Sequence, residues 1–125
     1  ISSDKALLSA DKIYELLSGS YWAQGRSRET IIKSIENSLC WGIYIGGEQV
    51  GFARAVTDYA TIYWLCDVII DEKHRGHGLG KMLVESVVNC EELAGLRGIL
   101  GTKDAHGLYE QYGFVRVPDR FMVKP

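Results

Sequence analysis

Proline, paired cysteine, long apolar runs and excess positive charge are all scarce in this chain of 125 residues. Its two prolines, Pro118 and Pro125, stand near the end, and no Pro/Gly-rich linker, repeat or low-complexity tract divides what precedes them. One domain spanning residues 1–125 is expected at this length, with roughly two-thirds of its unfolded surface buried. The cysteines Cys40, Cys66 and Cys90 are odd in number, sit in apolar surroundings and lack C-x-x-C spacing. Neither a disulfide framework nor a metal site is therefore expected, and reduced thiols point to a cytoplasmic setting. No apolar run approaches the ~18 residues of a membrane span, and no signal peptide is read, so no membrane partner is expected. With 14 Lys+Arg against 16 Asp+Glu, the net charge of −2 offers no basic excess to neutralise phosphates, which argues against a nucleic-acid partner.

What is present is ordered punctuation. Asp11 is expected to cap a helix carrying Ile13, Leu16 and Leu17. A polar loop with Tyr21 and Trp22 follows. Ser27 is expected to cap a second helix with Ile31, Ile32, Ile35 and Leu39 on one face. The runs CWGIYI and QVGFARAV flank Gly46-Gly47 and predict an antiparallel hairpin. A turn at Asp58-Tyr59 leads to ATIYWLCDVII, apolar at nearly every position and so expected to be central and covered on both faces. Leu79, Met82, Leu83, Val87 and Cys90 then recur at helical spacing. RGILGT predicts a short strand, and DAHGLYEQYG a short helix ended by Gly113 in the left-handed conformation. FVRV and RFMV predict closing strands. The class is α+β, with a mostly antiparallel sheet that turns parallel beside the strand after the glycine-bearing helix.

The stretch DEKHRGHGLGKML, Asp71–Leu83, sets Gly76, Gly78 and Gly80 between a strand and a helix. This order aims unpaired backbone N–H groups at one point, with the positive end of a helix dipole behind them. Such a nest binds an anion of diphosphate type, with Arg75 and Lys81 adding charge at its rim. The dinucleotide fingerprint G-x-G-x-x-G does not match, and a P-loop is excluded because Met82, not Ser or Thr, follows Gly80-Lys81.

Arg75-Gly-His-Gly78-Leu-Gly80 does match R/Q-x-x-G-x-G/A, the acyl-coenzyme-A loop of the GNAT superfamily of N-acyltransferases, and Ala105-His-Gly-Leu-Tyr109-Glu-Gln-Tyr-Gly113-Phe114 resembles that family's A-x-x-L-Y-E-x-x-G-F segment. The order of elements agrees along almost the whole chain. The opening SYWAQGRS, with SIENS and GFARAVTDYAT, resembles a bacterial subgroup of undefined substrate. The resemblance implies a GNAT-like mixed, mostly antiparallel sheet with a splayed central strand and helices on both faces. It implies acetyl-CoA as co-substrate, no metal, and transfer of the acetyl group to a primary amine of a small molecule by direct attack. The pyrophosphate would rest on the amides of Arg75, Gly76, His77, Gly78, Leu79, Gly80 and Lys81. The pantetheine arm would add beside Val68, Ile69 and Ile70, where a bulge or bend would free backbone groups. Tyr109 would donate a proton to the departing thiolate, with Tyr112 as rival. Thr102 stands where the family often carries Asn, and its hydroxyl can still bond the cofactor arm.

Asp67, beside the expected thioester, either takes the ammonium proton as a base, directly or through water, or only holds a loop amide or pairs with an arginine. Asp58 and His106 are weaker candidates. Tyr21, Trp22, Arg26 and Arg54 are expected on the substrate side, the arginines suiting a substrate carboxylate. Packing of Trp22 and helix capping by Arg26 are the alternatives. A non-catalytic CoA-binding sensor is the second functional reading. Strands near the C-terminus could pair two copies as a homodimer.

Overall fold

The computed structural model describes residues 1–125. Helices α1 (Ala10–Ser18) and α2 (Arg28–Glu36) come first, followed by strands β1 (Leu39–Ile45), β2 (Glu48–Thr57) and β3 (Ile62–Ile70). Helix α3 (Leu79–Val88), strand β4 (Arg97–Ile99) and helix α4 (His106–Glu110) complete the regular elements. The sheet order is β1-β2-β3-β4, antiparallel across the first two pairs and parallel between β3 and β4. No helix is long and apolar enough to cross a membrane.

Local chemistry accounts for the element ends. Gly46 and Gly47 have φ of 58° and 81°, so the β1–β2 hairpin has the two left-handed positions that match strand twist. Asp58 accepts from the Thr61 hydroxyl and from the amides of Thr61 and Ala60 at 2.8 and 2.9 Å, which closes the β2–β3 turn and holds its carboxyl below the usual range. Ser27 caps α2 by accepting from Thr30 N at 3.1 Å. On α1, Ser9 rather than Asp11 is the cap, because its hydroxyl reaches the amide of Lys12 at 3.1 Å, and Asp11 lies in the first turn. α2 ends before Leu39, which opens β1, and Ile32 faces outward.

Two cores separate the sheet from helices on its two faces. Ile13, Leu16, Leu17 and Ile31 meet Cys40, Phe52 and Ile69 on one side. Leu83 and Val87 meet Trp41, Ala53, Tyr63 and Leu65 on the other. Val84, not Met82, completes the buried stripe of α3.

β3 departs from the expectation of full cover on both faces. Tyr63 and Leu65 are buried, while Trp64, Cys66 and Val68 are only half-buried, since β4 pairs with β3 over Ile62–Trp64 alone. The expected closing strands also do not form. Residues 114–125 carry no ladder, and Val115, Phe121 and Met122 are exposed, although Phe121 stacks on Trp64 at 5.4 Å. A period-two apolar pattern needs a neighbouring strand to become one, and β4 is too short to supply it.

Candidate active site

β3 carries the irregularity that shapes the site. Phe52 pairs with Ile69 and Arg54 with Cys66, so Ala53 alone faces the two residues Asp67 and Val68. This is a β-bulge, and Asp67 at φ 53° takes the left-handed position that Asp tolerates better than most residues. Side-chain alternation slips by one residue there. Leu65 and Ile70 point to the α3 core, and Ile69 to the opposite one.

β4 pairs with β3 only as far as Trp64, and beyond the bulge a cavity of about 620 Å³ lies against the unpaired end of β3. Val68, Ile69 and Ile70 form one wall, and Ala105, Leu108 and Tyr109 the facing one. Their spacing, i, i+3 and i+4 around α4, puts the last three on one helix face. The glycine loop forms one end of the cavity and Gly19–Trp22 the other.

The loop has the properties of an anion cradle. None of the amides of Gly76, His77, Gly78, Leu79, Gly80 and Lys81 donates to a backbone carbonyl. Gly76 and Gly78 have φ of 83° and 77°, and a Cβ at Gly76, Gly78 or Gly80 would meet no protein atom within 4 Å. Open space, bare donors and the start of α3 converge, as a diphosphate requires. Arg75 differs from the expectation, because its amide donates to Glu72 O at 3.4 Å and its Nε to Ile70 O at 3.1 Å. Arg75 still lines the cavity, but its amide is not among the free donors. His77 is off the lining altogether, while its neighbour His74, which the motif does not single out, is on it.

Tyr109 lines the cavity and meets Phe114 edge-on at 6.0 Å. Burial, with the nearby Tyr21 and the Asp104 carboxylate, pushes its phenol up to about 12, so it stays a proton donor at neutral pH. Tyr112 points away, with its hydroxyl donating to Lys81 O at 3.2 Å, rather than packing on the sheet. Thr102 is taken up locally, its hydroxyl accepting from Ala105 N at 3.0 Å, and it does not line the cavity.

Asp67 is where the structure decides between two readings. Its side chain is 2% exposed and does not line the cavity. Oδ2 accepts from Arg26 at 2.8 Å and from Arg54 Nε at 2.9 Å, and Oδ1 accepts from Trp22 Nε1 at 2.9 Å. Of the two readings, the contacts are those of ion pairing. Arg26 and Arg54, expected on the substrate side, both donate to Asp67 and neither lines the cavity; Arg54 also donates to Ser38 at 3.0 Å. Tyr21 and Trp22 do line the cavity, stacked edge-on at 5.0 Å. Asp58 is spent on its turn, and His106 begins α4 without facing the cavity.

Two thiols belong to the sheet, Cys40 on β1 and Cys66 on β3. Burial pushes both Cys40 and Cys66 up to about 11. Sequence reasoning missed Gly19, Ser20, Ala105, Leu108 and Asp104 as lining residues. The helical spacing of Ala105 and Leu108 from Tyr109 was the available signal for two of them.

This arrangement has known counterparts. The family model described as an acetyltransferase (GNAT) domain matches residues 36–116. A crystal structure from Xanthomonas campestris pv. campestris, assigned to the GNAT family as an acetyltransferase, is 40% identical with a TM-score of 0.94, over 99% of this chain and 90% of that one. A Gibberella zeae protein named as an acetyltransferase is 30% identical over 68% of this chain. The chain spans 28–59% of the length of the curated relatives it matches. A GNAT acetyltransferase from Elizabethkingia anophelis with acetyl-CoA bound, 20% identical, shares the fold at a TM-score of 0.64 over 82% of this chain and 67% of that one. A matched domain model over most of the chain, with a solved GNAT-family structure 40% identical on the same fold, leads to one conclusion: the chain belongs to the GNAT acetyltransferase family.

Proposed function

We propose that residues 1–125 act as one unit that transfers an acetyl group from acetyl-CoA to a primary amine of a small molecule. The observation that carries this reading is the row of six bare amides, Gly76 to Lys81, at one end of a cavity that Tyr109 also lines. The diphosphate of acetyl-CoA would take those amides, with Arg75 and Lys81 beside it. The amide-rich arm would run along Val68–Ile70, past the bulge. The thioester then lies toward Tyr109.

The ammonium gives one proton to solvent, the freed lone pair attacks the thioester carbonyl, the carbon–sulfur bond breaks, the thiolate takes the Tyr109 proton, and the proton shed by the new amide nitrogen returns to Tyr109 through water. The high pKa of Tyr109 keeps that proton in place until sulfur acquires charge. Asp104 is the carboxylate on the cavity lining, and it supplies the negative field that draws in an ammonium. The exposed rings of Tyr21 and Trp22 give the acceptor an apolar and cation-attracting surface.

Free-thiol release from acetyl-CoA across an amine panel tests this reading. Saturable, amine-dependent release is expected. Tight acetyl-CoA binding with no release from any amine would return the chain to a sensor role.

A further inference from the structure

Asp67 joins two parts of the molecule that the chain keeps far apart. Its backbone, in the left-handed region, makes the bulge that turns Val68–Ile70 into a cavity wall. Its carboxylate takes three donors, two of them from the irregular segment between α1 and α2, namely Trp22 Nε1 and Arg26, and one from Arg54 of β2. That segment has few other long-range ties. Tyr21 Oη accepts from Lys103 N at 3.2 Å, Ser20 donates to Leu17 O of α1 and accepts from Ala23 N, and Ala23 alone packs into the core. A side chain that is 2% exposed, with one carboxylate between two guanidinium groups, is a poor proton acceptor and a strong anchor.

We propose that Asp67 is a positioning residue that holds the Tyr21–Trp22 wall against the bulged end of β3 and so sets the acceptor end of the cavity. Naming that end rests on the acetyltransferase reading. Arg26 and Arg54 complete the anchor without touching either substrate. The indole N–H bond fixes the plane in which Trp22 presents its 41% exposed ring to the cavity. Loosening the anchor impairs acceptor binding and leaves the glycine cradle intact, since no residue of Gly76–Lys81 takes part in it.

Asp67→Asn leaves two guanidinium groups facing a neutral amide and can unfold the chain, so Arg26→Gln is the primary variant and Arg26→Lys its conservative control. Hydrogen exchange of residues 20–26 should accelerate about tenfold or more in Arg26→Gln, with β1 and α3 unchanged. The Kd for acetyl-CoA should stay within about twofold. The KM should rise about tenfold for whichever of spermidine, ethanolamine and tryptamine the wild type acetylates fastest. Arg26→Lys should recover most of both effects. Unchanged exchange in residues 20–26, or losses of acetyl-CoA affinity and amine KM that track a fall in Tm, would overturn the proposal. A wild type that binds acetyl-CoA but acetylates no amine of the full panel refutes the functional reading separately, because the exchange comparison still decides whether the anchor holds the wall.

Discussion

Tyr63 occupies the space that a side chain at Gly98 would need. The two residues pair across β3 and β4, and a Cβ on Gly98 would lie 2.5 Å from Cζ and Oη of the tyrosine ring. The parallel pair is only three residues long on each strand, so this contact sits at the point from which the two strands diverge. Gly98→Ala should therefore cost about 1–3 kcal/mol, because the ring is buried and cannot swing clear without moving the α3 core. Chemical denaturation measures the loss, and a midpoint equal to that of the wild type would mean the strands adjust freely.

Gly80 separates the space requirement of the cradle from its backbone requirement. Unlike Gly78, it carries no positive φ, and a Cβ there meets nothing. Gly80→Glu should leave Tm nearly unchanged yet weaken acetyl-CoA binding by about a hundredfold, since a carboxylate would share the anion site. Isothermal calorimetry reads the affinity, and wild-type binding would place the diphosphate elsewhere.

Tyr109→Phe should lower kcat by about ten- to a thousandfold and leave the acetyl-CoA Kd within about twofold. The pH dependence has a definite sign. Burial raises the folded-state pKa from 10.0 to about 12, so the protonated phenol persists through the alkaline range. Activity that depends on it should show no alkaline fall from this group below about pH 10. Its contribution to stability is complete below pH 10 and is lost as pH rises through about 12, because there the folded chain holds a proton that the unfolded chain has released. A kcat for Tyr109→Phe equal to wild type would remove the phenol from the chemistry.

Cys66 lies next to the bulge residue, so a covalent acetyl-thiol route has to be tested. Its thiol is pushed up to about 11 by burial and is therefore protonated near neutral pH. Cys66→Ala should keep kcat within about threefold, and iodoacetamide at pH 7.5 should inactivate slowly or not at all. Rapid stoichiometric loss of activity on alkylation, protected by acetyl-CoA, would argue for a thiol intermediate.

Much of the frame was legible in the chain because its signals are local. Gly46-Gly47, Ser27, Asp58 and Gly113 act within a few residues of themselves, and each does in the structure what its side chain or lack of one dictates. The glycine loop belongs to the same class, since spacing alone aims its amides. The failures are contacts between distant segments. Phe114–Val117 has a strand-like pattern but no partner strand, and Met82 has a helical phase but faces outward.

The amino-acid sequence by itself determined the helices, the antiparallel hairpins and the bare cradle, each from residues within one turn or one hairpin of each other, and two such local motifs together pointed to the family. Only the tertiary structure decided what Asp67, Arg26 and Arg54 do, because ion pairing across as many as 41 positions depends on where a bulge turns a side chain. A carboxylate reads the same in a sequence whether it faces a substrate or two guanidinium groups, and only the fold shows that Asp67 is buried beside the latter.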